Sequence, residues 1–313
     1  MSVTSPGSAV RHNRFLSLLR DYTELTKLRV TTLIVMTAWC GFYFGALKGG
    51  VSSLSWSLLH ALLGIGFVSG GTAALNEVME HEVDARMRRT ARRPLPSGRM
   101  SVLHGTIAGV LLTVGGAFYL AFTTNALTGL LALATAFVYL AAYTPLKRVS
   151  PICTFVGAFP GAMPGVLGWV AARGRVELGA LVMFAIVFFW QFPHFYSIAW
   201  LYREDYAAGE IQMLPVLEEK GAVTGRQILL YSLGLIFASL APVFLGMSGR
   251  LYLSGAAVMG IAFCVFGARL ARLGLPMNSP RAKQRARQLL QASVVYLPLL
   301  FALMMMNPGN RVQ

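Results

Sequence analysis

The sequence from Asn76 to Arg99, NEVMEHEVDARMRRTARRPLPSGR, is the stretch around which the rest of the chain is organised. It follows a long apolar run and is dense with charge. Asn76, Glu80 and Asp84 recur every four residues, so in a continuing helix they lie within about 80° of one face. Five arginines follow: Arg86, Arg88, Arg89, Arg92 and Arg93. Oxygen ligands beside guanidinium groups suit a Mg²⁺ ion that holds a phosphorylated anion, and this interpretation is favoured over a charged loop that only caps a membrane helix.

The composition is that of a membrane protein. Of the 313 residues, 56% are hydrophobic and only 12% are charged. Apolar runs of about 20 residues, the length that crosses a bilayer core as an α-helix, recur along the chain. We predict nine, at residues 29–47, 57–78, 103–123, 125–144, 151–172, 178–200, 228–247, 251–271 and 287–306. The expected fold is all-α, a polytopic bundle around a central cavity.

The basic residues predict the orientation of the bundle. The net charge is +15, but all except five of the 27 Lys and Arg lie on the side of the N-terminus. The exceptions are Lys48, Arg173, Arg175, Arg250 and Arg311. This asymmetry predicts that the N-terminus is inside and the C-terminus outside. The charge therefore indicates membrane orientation and no nucleic-acid partner.

The two ends of the chain differ from the bundle. Residues 1–10 carry Ser, Gly and Pro and are expected to be mobile. Residues 14–28 predict an amphipathic helix on the inner membrane surface, with Leu18, Leu19 and Tyr22 on one face. The domain prediction is thus a segment 1–28, a single membrane domain 29–307 and a tail 308–313.

A second acidic loop is predicted on the same side of the membrane. Nine of the twelve Asp and Glu fall in two inner loops. They are Glu77, Glu80, Glu82 and Asp84 in the first, and Glu204, Asp205, Glu210, Glu218 and Glu219 in the second. Two such loops at one end of a bundle would hold two or more Mg²⁺ ions between them.

Three further features stand out within the apolar spans. His194 lies in the stretch FFWQFPHF, and a histidine in a membrane is costly enough to need a hydrogen bond from a neighbouring helix or a substrate or metal contact. Lys147, in YTPLKR, is either an interfacial anchor or reaches an anion at the Asn76 loop. The run 151–172 contains Pro160, Pro164 and several glycines, which predicts tight packing or a kink beside a cavity.

These residues resemble a known family. Asn76-x-x-x-Glu80-x-x-x-Asp84 resembles the first Asp-rich motif of the intramembrane aromatic prenyltransferase superfamily, and Tyr143-x-x-x-Lys147 resembles its other short motif. In order along residues 21–216, DYTELTK, RTARRPLPSGR, YTPLKR, FPHF and DYAAGEIQMLPV resemble the protoheme IX farnesyltransferase family, also called haem O synthases. This chain has Glu80 where the superfamily usually has Asp, and Arg203-Glu204-Asp205 where it usually has two aspartates four apart.

The resemblance implies a reaction and a set of roles. The reaction is transfer of farnesyl from farnesyl diphosphate to a vinyl group of haem b, with water addition, giving haem O and diphosphate. The resemblance implies Mg²⁺ ligands at Asn76, Glu80 and Asp84 with a second set at Glu204 and Asp205, diphosphate contacts from Arg89, Arg93 and Lys147, a catalytic Tyr143, and substrate contacts from His194 and Arg203.

The same resemblance implies a cellular setting. The protein is expected in the bacterial cytoplasmic (inner) membrane, with its active-site loops on the cytoplasmic face and the lipid bilayer as its surroundings. Haem A synthase and oxidase-assembly proteins are the expected partners in a complex.

Two other function classes share some of these sequence features. A sister prenyltransferase with a quinone-precursor or chlorophyllide acceptor would keep the Asn76–Asp84 register without needing FPHF or DYAAGEIQMLPV. A transporter would place ionisable groups near the bilayer midplane, whereas most acids here lie at the inner ends of spans. The prenyltransferase function is therefore favoured.

Overall fold

The structure is a computed structural model that describes residues 6–272 and 276–309. Its long helices are α1 (Pro6–Leu25), α2 (Leu28–Lys48), α3 (Trp56–Arg86), α4 (Val102–Thr123), α5 (Ala126–Phe137), α7 (Cys153–Arg173), α8 (Leu178–Leu201), α11 (Ala222–Phe244), α12 (Arg250–Ala271) and α13 (Pro280–Met306). A π-helical turn (Val138–Tyr143) and α6 (Thr144–Leu146) extend α5, and short helices α9 (Arg203–Ala208) and α10 (Leu214–Leu217) follow α8.

Across the described residues, nine helices are long and apolar enough to cross a membrane. They begin with α2 and include α5 together with its extension to Leu146. The prediction of an all-helical bundle with nine spans is therefore confirmed. Several boundaries differ from the apolar runs, and α11 begins at Ala222, ahead of the predicted residue 228. Helix α3 continues to Arg86, well beyond residue 78, and α13 begins at Pro280, because Ser279 accepts a hydrogen bond from the Ala282 N–H at its N-terminus.

The loops fall into two groups at opposite ends of the bundle. At one end, the Gln212 N–H donates to the Lys147 carbonyl at 2.7 Å, and Arg99 pairs with Asp21 of α1. At the other end, Lys48 lies 3.8 Å from Glu177. The first end contains both acidic loops and most basic residues, as expected. Which side of the membrane it faces stays a prediction.

The N-terminal helix is longer than predicted. Helix α1 begins at Pro6 and ends at Leu25, and Leu18 and Leu19 are about half exposed, as expected for a helix that lies on a lipid surface. Of residues 1–10, which the sequence predicts to be mobile, 6–10 form the start of α1 and 1–5 lie outside the described residues.

Helices α2 and α7 are in backbone contact at the centre of the bundle. A Cβ atom on Gly168 would lie 1.9 Å from the Ala38 carbonyl oxygen, and one on Gly41 would lie 2.0 Å from the Gly165 oxygen. Only glycine permits this approach, which is typical of membrane helix pairs. Helix α7 remains continuous through Pro160, so the prediction of tight packing is confirmed.

We expect Gly168→Ala to destabilise the bundle, because the added methyl group meets backbone that cannot rotate away. Overpacking of this kind costs about 1–3 kcal/mol. The measurement is the midpoint temperature of unfolding in detergent. The matched control is Gly115→Ala in α4, where a Cβ atom has no neighbour within 4 Å among the described residues. An equal midpoint for the two variants would contradict the packing argument.

Candidate active site

Asn76, Glu80 and Asp84 lie along one face of α3, as predicted, because the helix continues through all three. Asn76 is 1% exposed and Asp84 2% exposed. The Asn76 amide donates to Glu80 Oε2 at 2.9 Å and to the Thr144 hydroxyl at 3.1 Å. The amide oxygen of Asn76 takes no part in these bonds and faces the ammonium group of Lys27.

Three cationic side chains from three separate segments face this row of oxygens. The contacts are Lys27 Nζ to Asn76 Oδ1 at 2.8 Å, Lys147 Nζ to both Glu80 oxygens at 2.9 Å, and Arg93 Nη1 to Asp84 Oδ2 at 2.5 Å. Each polar group on the α3 face therefore has its own positive partner. Charges removed from water need such partners, since an unpaired buried charge costs several kcal/mol.

Lys27 is a site residue that the sequence reasoning missed. It precedes α2 with a φ of 46°, the left-handed region that a non-glycine residue rarely adopts. Burial lowers its pKa to about 7, and the nearby cations Arg93 and Lys147 add to this effect. The only sequence signal was its place at the end of the DYTELTK motif.

Lys147 reaches back to the α3 face and is not only an interfacial anchor. The π-helical turn before it places the Tyr143 ring 4.6 Å beneath its ammonium group. Burial alone would lower the pKa of Lys147, but Tyr143 and Glu80 raise the pKa above its ordinary value. Lys147 is therefore a permanent cation beside Glu80.

Glu77 holds the arginine-rich loop, residues 87–101 between α3 and α4, in place. It is fully buried, and its Oε1 accepts a hydrogen bond from the Leu95 N–H at 3.2 Å. The loop is also attached to α3 by Thr90, whose hydroxyl donates to the Asp84 carbonyl at 2.8 Å. These bonds position Arg93 over the α3 face.

The second acidic loop meets the first through Asp205. Its Oδ2 accepts from the Arg89 N–H at 3.3 Å, and its Oδ1 lies 3.7 Å from Arg88 Nε. The Arg89 guanidinium lies over the rings of Tyr202 and Tyr206, at 5.5 and 5.7 Å. The structure thus brings Arg89 and Asp205 together, as expected from two loops at one end of the bundle.

Glu204 lines a small cavity with Arg88 and Asp205 of this junction, but its ion pair, like the hydrogen bond of Arg203, is made to another part of the chain. Glu204 is exposed and pairs with Lys283 of α13 at 3.2 Å. Arg203 donates weakly to the Val216 carbonyl at 3.4 Å. Neither contact joins them to the α3 face.

The oxygen set on α3 suits a hard cation. Residues 6–272 and 276–309 contain no group of three or more His, Cys, Asp and Glu side chains placed to share a metal. The row on α3 is not such a group, because its third oxygen donor is the amide of Asn76 and only Glu80 and Asp84 are carboxylates. An amide with two carboxylates is nevertheless a donor set that Mg²⁺ accepts.

An apolar cavity of about 350 Å³ extends from this charged cluster into the bundle. On α2 its lining runs from Lys27 to Thr37, a distance of about 15 Å along a helix. Tyr143, Gln191 and His194 also line it. The volume is within the range of about 300–1,000 Å³ for small-molecule sites, and the expectation of a central cavity is confirmed.

His194 makes the hydrogen-bond contact to a neighbouring helix that its position suggested, and the alternative of a substrate or metal contact stays a prediction. Its Nδ1 lies 2.8 Å from the Ser293 hydroxyl on α13, and its ring stacks on Trp190 with centroids 4.6 Å apart. It also faces the cavity. Near it, the Gln191 amide donates to the Ala158 carbonyl at 3.0 Å.

A row of oxygen ligands and cations at the end of an apolar intramembrane cavity defines the class of the protein. The chain belongs to the UbiA prenyltransferase family, whose family model matches residues 34–290. Within that family its sequence is similar to the protoheme IX farnesyltransferase of Koribacter versatilis, with 58% identity over 98% of each chain. It is 46% identical to the protoheme IX farnesyltransferase of Solibacter usitatus, over 93% of this chain and 100% of the relative. The resemblance seen in the motifs is confirmed.

Solved structures share the fold at low sequence identity. The structure of digeranylgeranylglyceryl phosphate synthase has a TM-score of 0.74 at 17% identity, over 92% of this chain and 98% of its own. A UbiA homolog from Archaeoglobus fulgidus, bound to GPP and Mg²⁺, has a TM-score of 0.58 at 19% identity, over 91% and 99%. These likenesses show the same helical architecture.

We expect Lys147→Met to lower the stability of the free protein by about 2 kcal/mol or more, because it leaves the Glu80 carboxylate without its cation. The double variant Glu80→Gln/Lys147→Met should recover most of that loss. The measurement is thermal unfolding in detergent without substrates. No recovery in the double variant would show that Lys147 is not needed as the partner of Glu80.

Proposed function

We propose that this protein transfers the farnesyl group of farnesyl diphosphate to a vinyl group of haem b, with water addition, to give haem O and diphosphate. The observation that carries the proposal is the 58% identity to a protoheme IX farnesyltransferase over 98% of both chains. The charged cluster at the end of an apolar cavity supports the same chemistry.

The α3 face is proposed to hold Mg²⁺ together with the diphosphate. Asn76, Glu80 and Asp84 supply oxygen donors on one face, and the archaeal homolog of the same fold is bound to GPP and Mg²⁺. When bound, Mg²⁺ would neutralise the negative charge that grows on the diphosphate as it departs. Glu204 and Asp205 remain the predicted second set, and Asp205 is the nearer to the arginine-rich loop.

The cations of the cluster are proposed to bind the diphosphate. Arg93 and Lys147 already lie against the α3 face, and Arg89 lies at the junction of the two acidic loops. A phosphorylated anion would give these side chains new acceptors while the carboxylates turn to the metal. Positive groups held in place before the reaction stabilise the departing anion without having to reorganise. The Tyr143 ring, which lies beneath the Lys147 ammonium group, would help to hold that group in place.

The cavity is proposed to hold the farnesyl chain beside haem b. The C1–O bond breaks and its electron pair leaves with the diphosphate. The vinyl carbon then bonds to C1, and the cation left on the haem side takes up water and releases a proton. Apolar walls delay capture of the first cation by bulk water. His194 is proposed to contact the haem, and Arg203 is retained as a predicted substrate contact.

The proposed setting is the bacterial cytoplasmic membrane. The end of the bundle with the charged cluster has most of the basic residues, and the positive-inside rule supports the proposal that this end lies on the cytoplasmic face, with the N-terminus inside and the C-terminus outside. Residues 29–307 are proposed to act as one membrane domain. Haem A synthase and oxidase-assembly proteins are the proposed partners in a complex.

The direct test is incubation of the purified protein with haem b, farnesyl diphosphate and Mg²⁺, with and without EDTA. We expect a product heavier than haem b by farnesyl plus hydroxyl, detected by mass spectrometry and abolished by EDTA. Farnesylation of an added quinone precursor without any haem product would show that the acceptor is a quinone precursor and not haem b. Absence of both products and of diphosphate release would overturn the whole proposal.

We expect Asp84→Ala to abolish haem O formation while the protein remains in the membrane, because the cluster loses a metal ligand and the partner of Arg93. The matched control is Glu82→Ala, two residues away on the exposed side of the same helix. This control should retain near-normal activity. Comparable turnover by both variants would contradict the assignment of the α3 face.

A further inference from the structure

Ser293 of α13 lies within hydrogen-bond distance of two side chains of α8, Trp190 and His194, and both of them line the cavity. It is fully buried, and its hydroxyl lies 2.8 Å from His194 Nδ1. Its backbone carbonyl accepts a hydrogen bond from Trp190 Nε1 at 2.9 Å. The Trp190 and His194 rings are stacked, with an interplanar angle of 20°. The orientation of the imidazole is therefore set by a single residue of a neighbouring helix.

The hydrogen bonds around Ser293 assign the proton on His194. The Ser293 hydroxyl donates its only proton to the Leu290 carbonyl at 2.6 Å. When the hydroxyl makes that bond, its oxygen is left as an acceptor for His194 Nδ1, and on this basis we assign the imidazole proton to Nδ1. In the neutral ring Nε2 consequently keeps a free lone pair.

The free nitrogen is open to the cavity. His194 lines the cavity, and Nε2 makes no hydrogen bond to any residue that the structure describes. It is also not among the described buried polar atoms that lack a partner. An imidazole that donates through one nitrogen and presents the other to a substrate cavity has the arrangement typical of a histidine that binds a metal.

We infer that Ser293 is a positioning residue that fixes His194 as the Nδ1–H tautomer and aims Nε2 at the iron of the substrate haem b. The inference rests on the proposed function, which supplies the haem. Because the bond to Trp190 comes from the backbone of Ser293, Ser293→Ala removes the contact to His194 and leaves the contact to Trp190 in place.

The test uses the full-length protein in detergent with ferrous haem b and no farnesyl diphosphate. We expect the resonance Raman spectrum of wild type to show an iron–histidine stretch that disappears in His194→Ala. In Ser293→Ala the stretch should move to lower frequency, because the Nδ1 proton has lost its acceptor. Haem affinity, followed by the Soret band, should fall about tenfold, the usual effect of removing a partner of a metal-binding histidine.

Two further variants separate positioning from packing. Ser293→Thr keeps the hydroxyl and should restore the wild-type frequency. Ser232→Ala removes another fully buried serine hydroxyl that donates to a helix carbonyl, that of Ile228 at 2.7 Å, and should leave the frequency unchanged.

The outcomes distinguish this inference from the proposed function, since haem O formation by wild type is measured in parallel. An unchanged frequency in Ser293→Ala, or a persistent iron–histidine stretch in His194→Ala, would overturn the inference while leaving the reaction intact. A wild-type protein that makes no haem O would instead refute the proposed function.

Discussion

The pairing of charge near the C-terminal end of α3 is the interaction on which the rest of the structure depends. Asp84 is almost fully buried and Glu80 largely so, and a carboxylate removed from water in this way is costly unless a cation lies beside it. The cations come from the α1–α2 junction, the loop after α3 and the end of α6. Their need for partners therefore draws three separate parts of the chain together at one point.

The cavity follows from the same arrangement. Its walls are apolar and its polar groups are few, while the charges are concentrated at the end near Lys27. This separation suits a substrate with a charged diphosphate head and an apolar prenyl tail. Two helices that line the cavity, α2 and α7, are in close backbone contact at Gly41 and Gly168, which leaves no room for a side chain between them.

Several features could be predicted from the sequence because they depend on local pattern. The four-residue register of Asn76, Glu80 and Asp84 required only that the helix continue, and it does. The nine spans followed from the lengths of the apolar runs. Lys27 was missed because its role depends on a left-handed backbone turn and on the position of Asn76, neither of which a local pattern records.

The sequence by itself determined a nine-helix membrane bundle, its charged end and the order of the motifs, since hydrophobic length and helical period act over short stretches. Only the tertiary structure decided which cation meets which oxygen, and that Ser293, far along the chain, lies within hydrogen-bond distance of His194. Such pairings join residues tens to hundreds of positions apart. These pairings depend on how whole helices pack against each other, and a local sequence pattern does not specify that packing.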